Sequence, residues 1–428
     1  MESIISYIID FLSRSSVSKL GIVHYGLPEN ACDKTKIIII PAFNNFEIIT
    51  LPETPFDKIL ETPILFGNSR IERINGKIIV YADIIVSSFF LLSRYEEILK
   101  SECRDKYGRF LSKDSVIFQQ GYGNRPLADE YGVLLRTWLK EAGFNDFEEN
   151  KGFSKIFLTH DVDAPFHFLH FKSVLKQIII NILNKNIINS TIKLYYDINF
   201  DDYYTFPKII KYDNDFKRTL AEETVQSIYF FLTAGSLLNL KYYNIDSKKI
   251  KLLLNYLIKN NSKLGLHISR EAGLNPKKIK REAYKLKMKI KQDILYSRHH
   301  YLLWKEPEDI EYMQQAKITD DFTLTYADCI GFRVGTCRPY RFINPITKEL
   351  TDVIIHPLEI MECTCDRYMA LDYENAFSHC KNIIDQVYKH NGELVLLWHN
   401  TEFLGNNYQE ILYINILEYI KSLTLCAL

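Results

Sequence analysis

From Ile156 onward, short apolar runs alternate with amphipathic helical stretches, and several of the runs end in a polar cluster. This alternation constrains the fold more than any other feature of the chain. Repeated strand–helix units build a parallel sheet or barrel with helices on its outer face. Functional groups in such folds gather at the carboxyl ends of the strands. The pattern predicts strands at Ile156–Leu158, Ser227–Thr233, Leu264–Ile268, Thr323–Ala327, Ile354–Glu359 and Glu393–Trp398. Helices are expected at Lys248–Lys259 and Pro276–Lys291. Residues Phe171–Phe200, rich in Ile, Asn and Lys, read as a helical insertion after the first strand.

Residues 1–150 read as a smaller mixed α/β domain, and 151–428 as the (β/α) barrel domain. Lys36–Pro41 has the composition of a strand, and Asn75-Gly76 supplies the positive φ values of a hairpin turn before the return strand Lys77–Tyr81. Helices are expected over Ile84–Leu99 and over Pro126–Ala142, the second ended by Gly143. The charged run Ser93–Glu97 reads as the solvated side of the first, and Arg125 with Asp129 as a salt bridge that anchors the two domains. Ile4–Leu12 reads as an amphipathic helix lying on the domain or on a membrane surface.

Composition narrows the class. Lys plus Arg equals Asp plus Glu at 53 each, so no whole-chain attraction to nucleic acid is expected. No segment has transmembrane length, and Met1-Glu2-Ser3 lacks the basic start of a signal peptide. A cytoplasmic protein is expected, with peripheral membrane contact left open. The eight cysteines show no paired CxxC pattern and read as reduced thiols. Cys363 and Cys365 alone offer two soft ligands, too few for a zinc site.

Five clusters carry the chemistry. Asp161 and Asp163 end the first barrel strand two residues apart, so an extended backbone points both to one side. Two such carboxylates repel unless a cation or proton intervenes. The bland reading is a loop in which one of them caps a helix. His267 follows a buried strand, and Glu271 stands four residues on; a structural histidine is the alternative. Arg298 precedes His299, His300 and Tyr301, a group that also suits a solvated turn. Asp328 follows Tyr326-Ala327 and precedes Gly331-Phe332-Arg333, and His399 follows Leu396-Leu397-Trp398. There is no GxSxG motif and no cysteine in a recognisable catalytic motif, which disfavours nucleophilic catalysis by a side chain.

In their order, THDVD, GLHISRE, RHHY, YADCIGF and LLWH resemble the motifs of the polysaccharide deacetylases, the family-four carbohydrate esterases. The resemblance covers about Ile156 to Glu402, with THDVD, GFRxGT and LWHN similar to a divergent bacterial branch. SSFFLLSRYEE, GRF and RPLADEY resemble an uncharacterised domain that commonly precedes such deacetylases. The resemblance implies a distorted (β/α) barrel and metal-dependent removal of acetyl groups from N-acetylated sugars of a bacterial polysaccharide or its precursor. It implies Asp161 as general base, Asp163 and His267 as metal ligands, Arg298 as the partner that holds Asp161, and His399 as general acid. It further implies that Asp328 orients His399, with Tyr301, Arg333 and Trp398 lining the sugar. The implied cofactor is a divalent metal, Zn²⁺ first, with Co²⁺, Mn²⁺ or Fe²⁺ also compatible with a mixed O/N site.

The chain departs from the family at the second histidine of the metal motif, where Glu271 stands. Glu271 and His300 are the two alternatives for the third ligand. That departure motivates a second reading, a catalytically inactive glycan-binding protein. A third is a metal-dependent hydrolase of non-sugar amides.

Overall fold

The structure is a computed structural model describing residues 2–43, 46, 48–147, 150–167, 198–220, 222–234, 243–305, 307–405 and 407–425. The expected insertion at Phe171–Phe200 lies almost wholly outside the described residues.

Six strands come first: β1 Val23–Tyr25, β2 Ile37–Ile39, β3 Asp57–Ile59, β4 Thr62–Ile64, β5 Gly67–Ile74 and β6 Lys77–Ala82. They form a four-stranded sheet, β1–β2–β6–β5, and a separate β3–β4 pair. Asn75 and Gly76 make the two-residue turn between β5 and β6, with φ of 51° and 74°, and Ile74 pairs with Lys77. The first helix, Glu2–Ser13, turns Ile4, Ile8 and Leu12 into the core, so its apolar face is spent on the protein itself.

Nine later strands form one sheet: β7 Phe153–Val162, β8 Val225–Leu232, β9 Lys263–Ile268, β10 Tyr296–His299, β11 Asp320–Asp321, β12 Tyr340–Ile343, β13 Leu350–Ile355, β14 Ile360–Met361 and β15 Gly392–Leu397. Their order is β12–β13–β11–β10–β9–β8–β7–β15–β14, and only β12 and β13 pair antiparallel. The sheet curls strongly. Phe157 on β7 and Phe322 just beyond β11 have ring centroids 5.0 Å apart. Four strand steps in a flat sheet would part them by roughly 19 Å.

The two-residue period of the strands divides the side chains. Phe157, Ile228, Phe230, Phe322, Val395 and Leu397 fill the concave interior. Ile156, Leu158, Val162, Phe231 and Leu396 face the helices and join an apolar core that runs from Ile4 to Ile420.

His356, one residue past β13, links Asp320 at the start of β11 to Glu393 near the start of β15. Its Nδ1 lies 2.6 Å from Glu393, its Nε2 2.9 Å from Asp320, and its ring stacks on Phe322 at 4.4 Å. Burial works against the imidazolium, but Asp320 and Glu393 outweigh it and raise the pKa to about 9. A raised histidine pKa stabilises the fold fully below the unfolded value of about 6.5 and loses that contribution as pH rises through the folded value. The gap in melting temperature between wild type and His356→Gln should therefore narrow between pH 6.5 and 9. A gap that stays constant across that window would contradict a charged His356 link.

Four expectations are corrected. The helix expected over Ile84–Leu99 is two helices, Ile84–Leu92 and Tyr95–Leu99. The Ser93 hydroxyl donates to the Phe89 carbonyl at 2.6 Å, and Arg94 turns left-handed at φ 55°. The charged run there is not solvated: Arg94, Glu96 and Glu97 are only 3–7% exposed. Thr323–Ala327 is not a strand, because the Asp321 carboxylate accepts the Thr323 N–H at 2.9 Å and bends the chain. Arg125 pairs with Glu130 rather than Asp129, while Asp129 accepts from Thr336 and from the Cys337 N–H, both at 2.9 Å.

Candidate active site

The interior positions of neighbouring strands bring charged groups together at the carboxyl end of the sheet. On β7, Thr159 and Asp161 follow Phe157 on the concave side. The Arg298 guanidinium, from β10, donates from Nη1 to Thr159 Oγ1 at 2.8 Å and to Asp161 Oδ1 at 3.0 Å. Its Nε donates to the Phe322 carbonyl at 2.9 Å, and the group lies over the Phe230 ring at 4.6 Å. Arg298 is fully buried; burial lowers its pKa and Asp161 opposes that shift. The pair fixes the Asp161 carboxylate, which is 3% exposed.

Asp163, one residue past β7, is the convergence point. Its Oδ1 lies 3.2 Å from His267 Nε2, and its Oδ2 lies 3.3 Å from His300 Nε2 and 3.8 Å from His399 Nε2. The His267 Nδ1 faces the Arg298 carbonyl at 3.0 Å. A carbonyl only accepts, so Nδ1 carries the proton and the neutral ring presents a lone pair at Nε2. Neither His267 Nε2 nor Asp163 Oδ1 has a well-formed hydrogen bond, although both are buried. Two acceptor atoms facing one another at 3.2 Å suit a cation between them.

The donor set fits a divalent ion. Ligand atoms of Asp163, His267 and His300 all lie within 4.8 Å of one another. Bonds of 2.0–2.2 Å in a tetrahedral site place ligands about 3.4 Å apart, close to the 3.2 and 3.3 Å separations seen. Without the ion, the same crowding holds protons. Burial disfavours the His267 imidazolium, but Asp161 and Asp163 raise its pKa. Burial likewise opposes the Asp163 carboxylate, but His300 and His267 hold its pKa well below the usual range.

His399, just after β15, completes the cluster. Glu362 Oε1 lies 2.5 Å from His399 Nδ1 and accepts its backbone N–H at 3.1 Å. Burial works against the His399 imidazolium, but Glu362 overrides it, with help from Asp163 and Asp161, and raises the pKa to about 10. Glu362 is fully buried. It was not among the residues expected from sequence; a carboxylate directly after the apolar pair Ile360-Met361 was the available signal.

Of the expected residues, Asp161, Asp163, His267, Arg298, His300 and His399 come together. Four of the others are placed differently. Asp328 does not orient His399: its carboxylate accepts the Ser112 N–H at 3.0 Å and the Ser112 hydroxyl at 2.9 Å. Glu271 is outside the ligand group and lines a cleft with Lys278, Arg281 and Lys285. Trp398 is fully buried and donates from Nε1 to the Gln409 carbonyl at 2.9 Å. Strand alternation puts it on the helix side, since Leu397 and His399 take the concave side. Arg333 is bound at both ends, to Glu97 at 2.8 and 2.9 Å and to the Thr325 carbonyl at 2.7 Å. It serves the contact between the two halves of the chain rather than a ligand. Tyr301 is 37% exposed and sits beside His300. Cys363 lies against the concave interior and Cys365 on the helix side near Cys380, so the two thiols do not share a face.

The fold and site together define an α/β protein with an Asp–His–His group able to hold a cation, an arginine-held carboxylate and a glutamate-held histidine at the carboxyl end of a curled, mostly parallel sheet. Residues 12–143 match a family of unknown function, DUF7033. No curated protein matches the sequence. The chain is similar to a protein provisionally assigned as a polysaccharide deacetylase from Mycobacterium smegmatis. That match has 10% identity and a TM-score of 0.40, over 63% of this chain and 85% of that one. It is also similar to a mutant CE4 family pseudoenzyme with restored enzymatic activity, at 9% identity and a TM-score of 0.31, over 65% of each chain. The geometry of the site, not these likenesses, carries the chemistry below. No described helix is long and apolar enough to cross a membrane.

Proposed function

We propose that this chain is a metal-dependent hydrolase that removes acetyl groups from N-acetylated sugars of a bacterial polysaccharide or its precursor. The observation that carries the reading is the meeting of Asp161, Asp163, His267, His300 and His399 around one point. Asp163, His267 and His300 would hold a divalent ion, and Zn²⁺ suits their mixed donors, as do Co²⁺, Mn²⁺ and Fe²⁺. A divalent cation there supplies Lewis acidity to an acyl oxygen and lowers the pKa of water at the site.

The chain's own groups do the proton work. Asp161, oriented by Arg298, accepts a proton from the attacking water. His399, kept protonated by Glu362, delivers a proton to the departing nitrogen. The Glu362 carboxylate against His399 Nδ1 favours the protonated imidazole. The non-catalytic alternative rested on Glu271 standing where a histidine was expected; His300 supplies an imidazole at the site instead.

Acetate release from oligosaccharides of N-acetylglucosamine tests the reading. The purified protein should release acetate, lose at least nine-tenths of the rate after dialysis against a chelator, and regain it with Zn²⁺. Metal-replete protein that releases no acetate from any of a panel of N-acetylhexosamine substrates would overturn it.

A further inference from the structure

We propose that residues 105–109, within the region that matches the family of unknown function, brace His300 in its ligating position. The proposal rests on the reading of Asp163, His267 and His300 as a metal site. It gives the preceding region a direct part in that site.

The His300 backbone depends on an irregular turn. It follows the last residue of β10 and opens a short turn, His300–Leu302. The next two residues, Tyr301 and Leu302, are both left-handed, with φ of 63° and 55°. Consecutive non-glycine residues in that region are sparsely populated and persist only where surroundings hold them. Within the turn, the backbone bond from the Leu303 N–H to the His300 carbonyl is long, at 3.4 Å.

The segment 105–109 supplies the missing restraint. The Tyr107 ring stacks on Tyr301 at 5.3 Å and 20°, and Tyr301 in turn packs on the His300 imidazole at 4.3 Å. Arg109 donates from Nη1 toward the Tyr301 carbonyl at 3.5 Å, and its guanidinium lies over Tyr107 at 4.9 Å. Gly108, at φ 90°, passes so close to Leu303 that a Cβ would sit 3.2 Å from its Cδ1.

The brace is itself rigid. The Asp105 carboxylate accepts the N–H groups of Tyr107 and Arg109, both at 2.9 Å, and the Arg109 side chain at 2.7 and 2.9 Å. Burial opposes the Asp105 carboxylate, but these bonds win and lower its pKa. Arg109 also donates to the Tyr368 hydroxyl at 3.3 Å, and Ser112 is held by Asp328 three residues further on. Groups that orient a metal ligand from behind it are typically worth 10–100-fold in metal affinity.

The test uses the full chain and zinc alone. Zinc affinity is measured by competition with a chromogenic chelator, and the cobalt(II) visible spectrum reports the ligand geometry. Tyr107→Ala should weaken zinc binding about 10–100-fold and alter the cobalt spectrum, whereas Tyr107→Phe should stay within about twofold of wild type. If Tyr107→Ala does not fold, Tyr107→Leu, which keeps bulk without a stacking ring, should show the same loss. Wild-type zinc affinity and an unchanged cobalt spectrum in both variants would overturn the brace while leaving the metal site standing. A fall in melting temperature of the metal-free protein with no change in zinc affinity would also overturn it. A wild type that binds no zinc would overturn the underlying site as well.

Discussion

Asp161→Asn should reduce kcat by about 10²–10⁴-fold while leaving the fold and the metal content unchanged. Asparagine keeps an oxygen that can accept from Arg298 Nη1, which now lies 3.0 Å from Asp161 Oδ1. What it loses is the basicity that takes the proton from water. Asp161 is not one of the three grouped ligands, so the ion should stay. Asp161→Ala is a poorer test, because it leaves the fully buried Arg298 without its counter-charge. Breaking a buried pair in that way costs roughly 3–5 kcal/mol, and a lost rate would then report misfolding. Stopped acetate release with bound zinc measured on the same sample decides the matter. A rate within tenfold of wild type would remove Asp161 from the chemistry.

The second large effect separates the two candidates for the third ligand. His300→Ala should weaken zinc binding at least 100-fold, beyond what loss of a supporting group produces. Glu271→Ala should leave it unchanged, because Glu271 stands outside the group formed by Asp163, His267 and His300. Equal losses in both variants, or a loss confined to Glu271→Ala, would contradict the assignment. Titration with zinc under identical buffer conditions measures both.

What could be read from the sequence follows physical regularity. Asp161, His267 and His399 each end or follow a long apolar run, so the strand-end rule found them, and the two-residue period gave Asp161 its face. The same period also tells that Trp398 must face away from the cleft when His399 faces into it. Glu362 was harder to see because its strand, Ile360–Met361, is only two residues long and shows no period. Asp328 lies in irregular chain, where sequence order says little about direction; it turned to Ser112, 216 residues earlier. The choice of His300 over Glu271 depends on a left-handed turn that no local propensity predicts. The buried charges of the 93–97 run were misjudged for a related reason. Glu97 is neutralised by Arg333, 236 residues away, and a local pattern cannot show so distant a partner.

The central claim is that separate strand ends converge to bind one cation through Asp163, His267 and His300. X-ray absorption at the zinc edge, on the zinc-loaded protein, tests it most directly. The account predicts two imidazole nitrogens with carboxylate oxygen at about 2.0–2.2 Å, falling to one imidazole in His300→Ala. A first shell with sulfur, or one that is identical in His300→Ala, would contradict it.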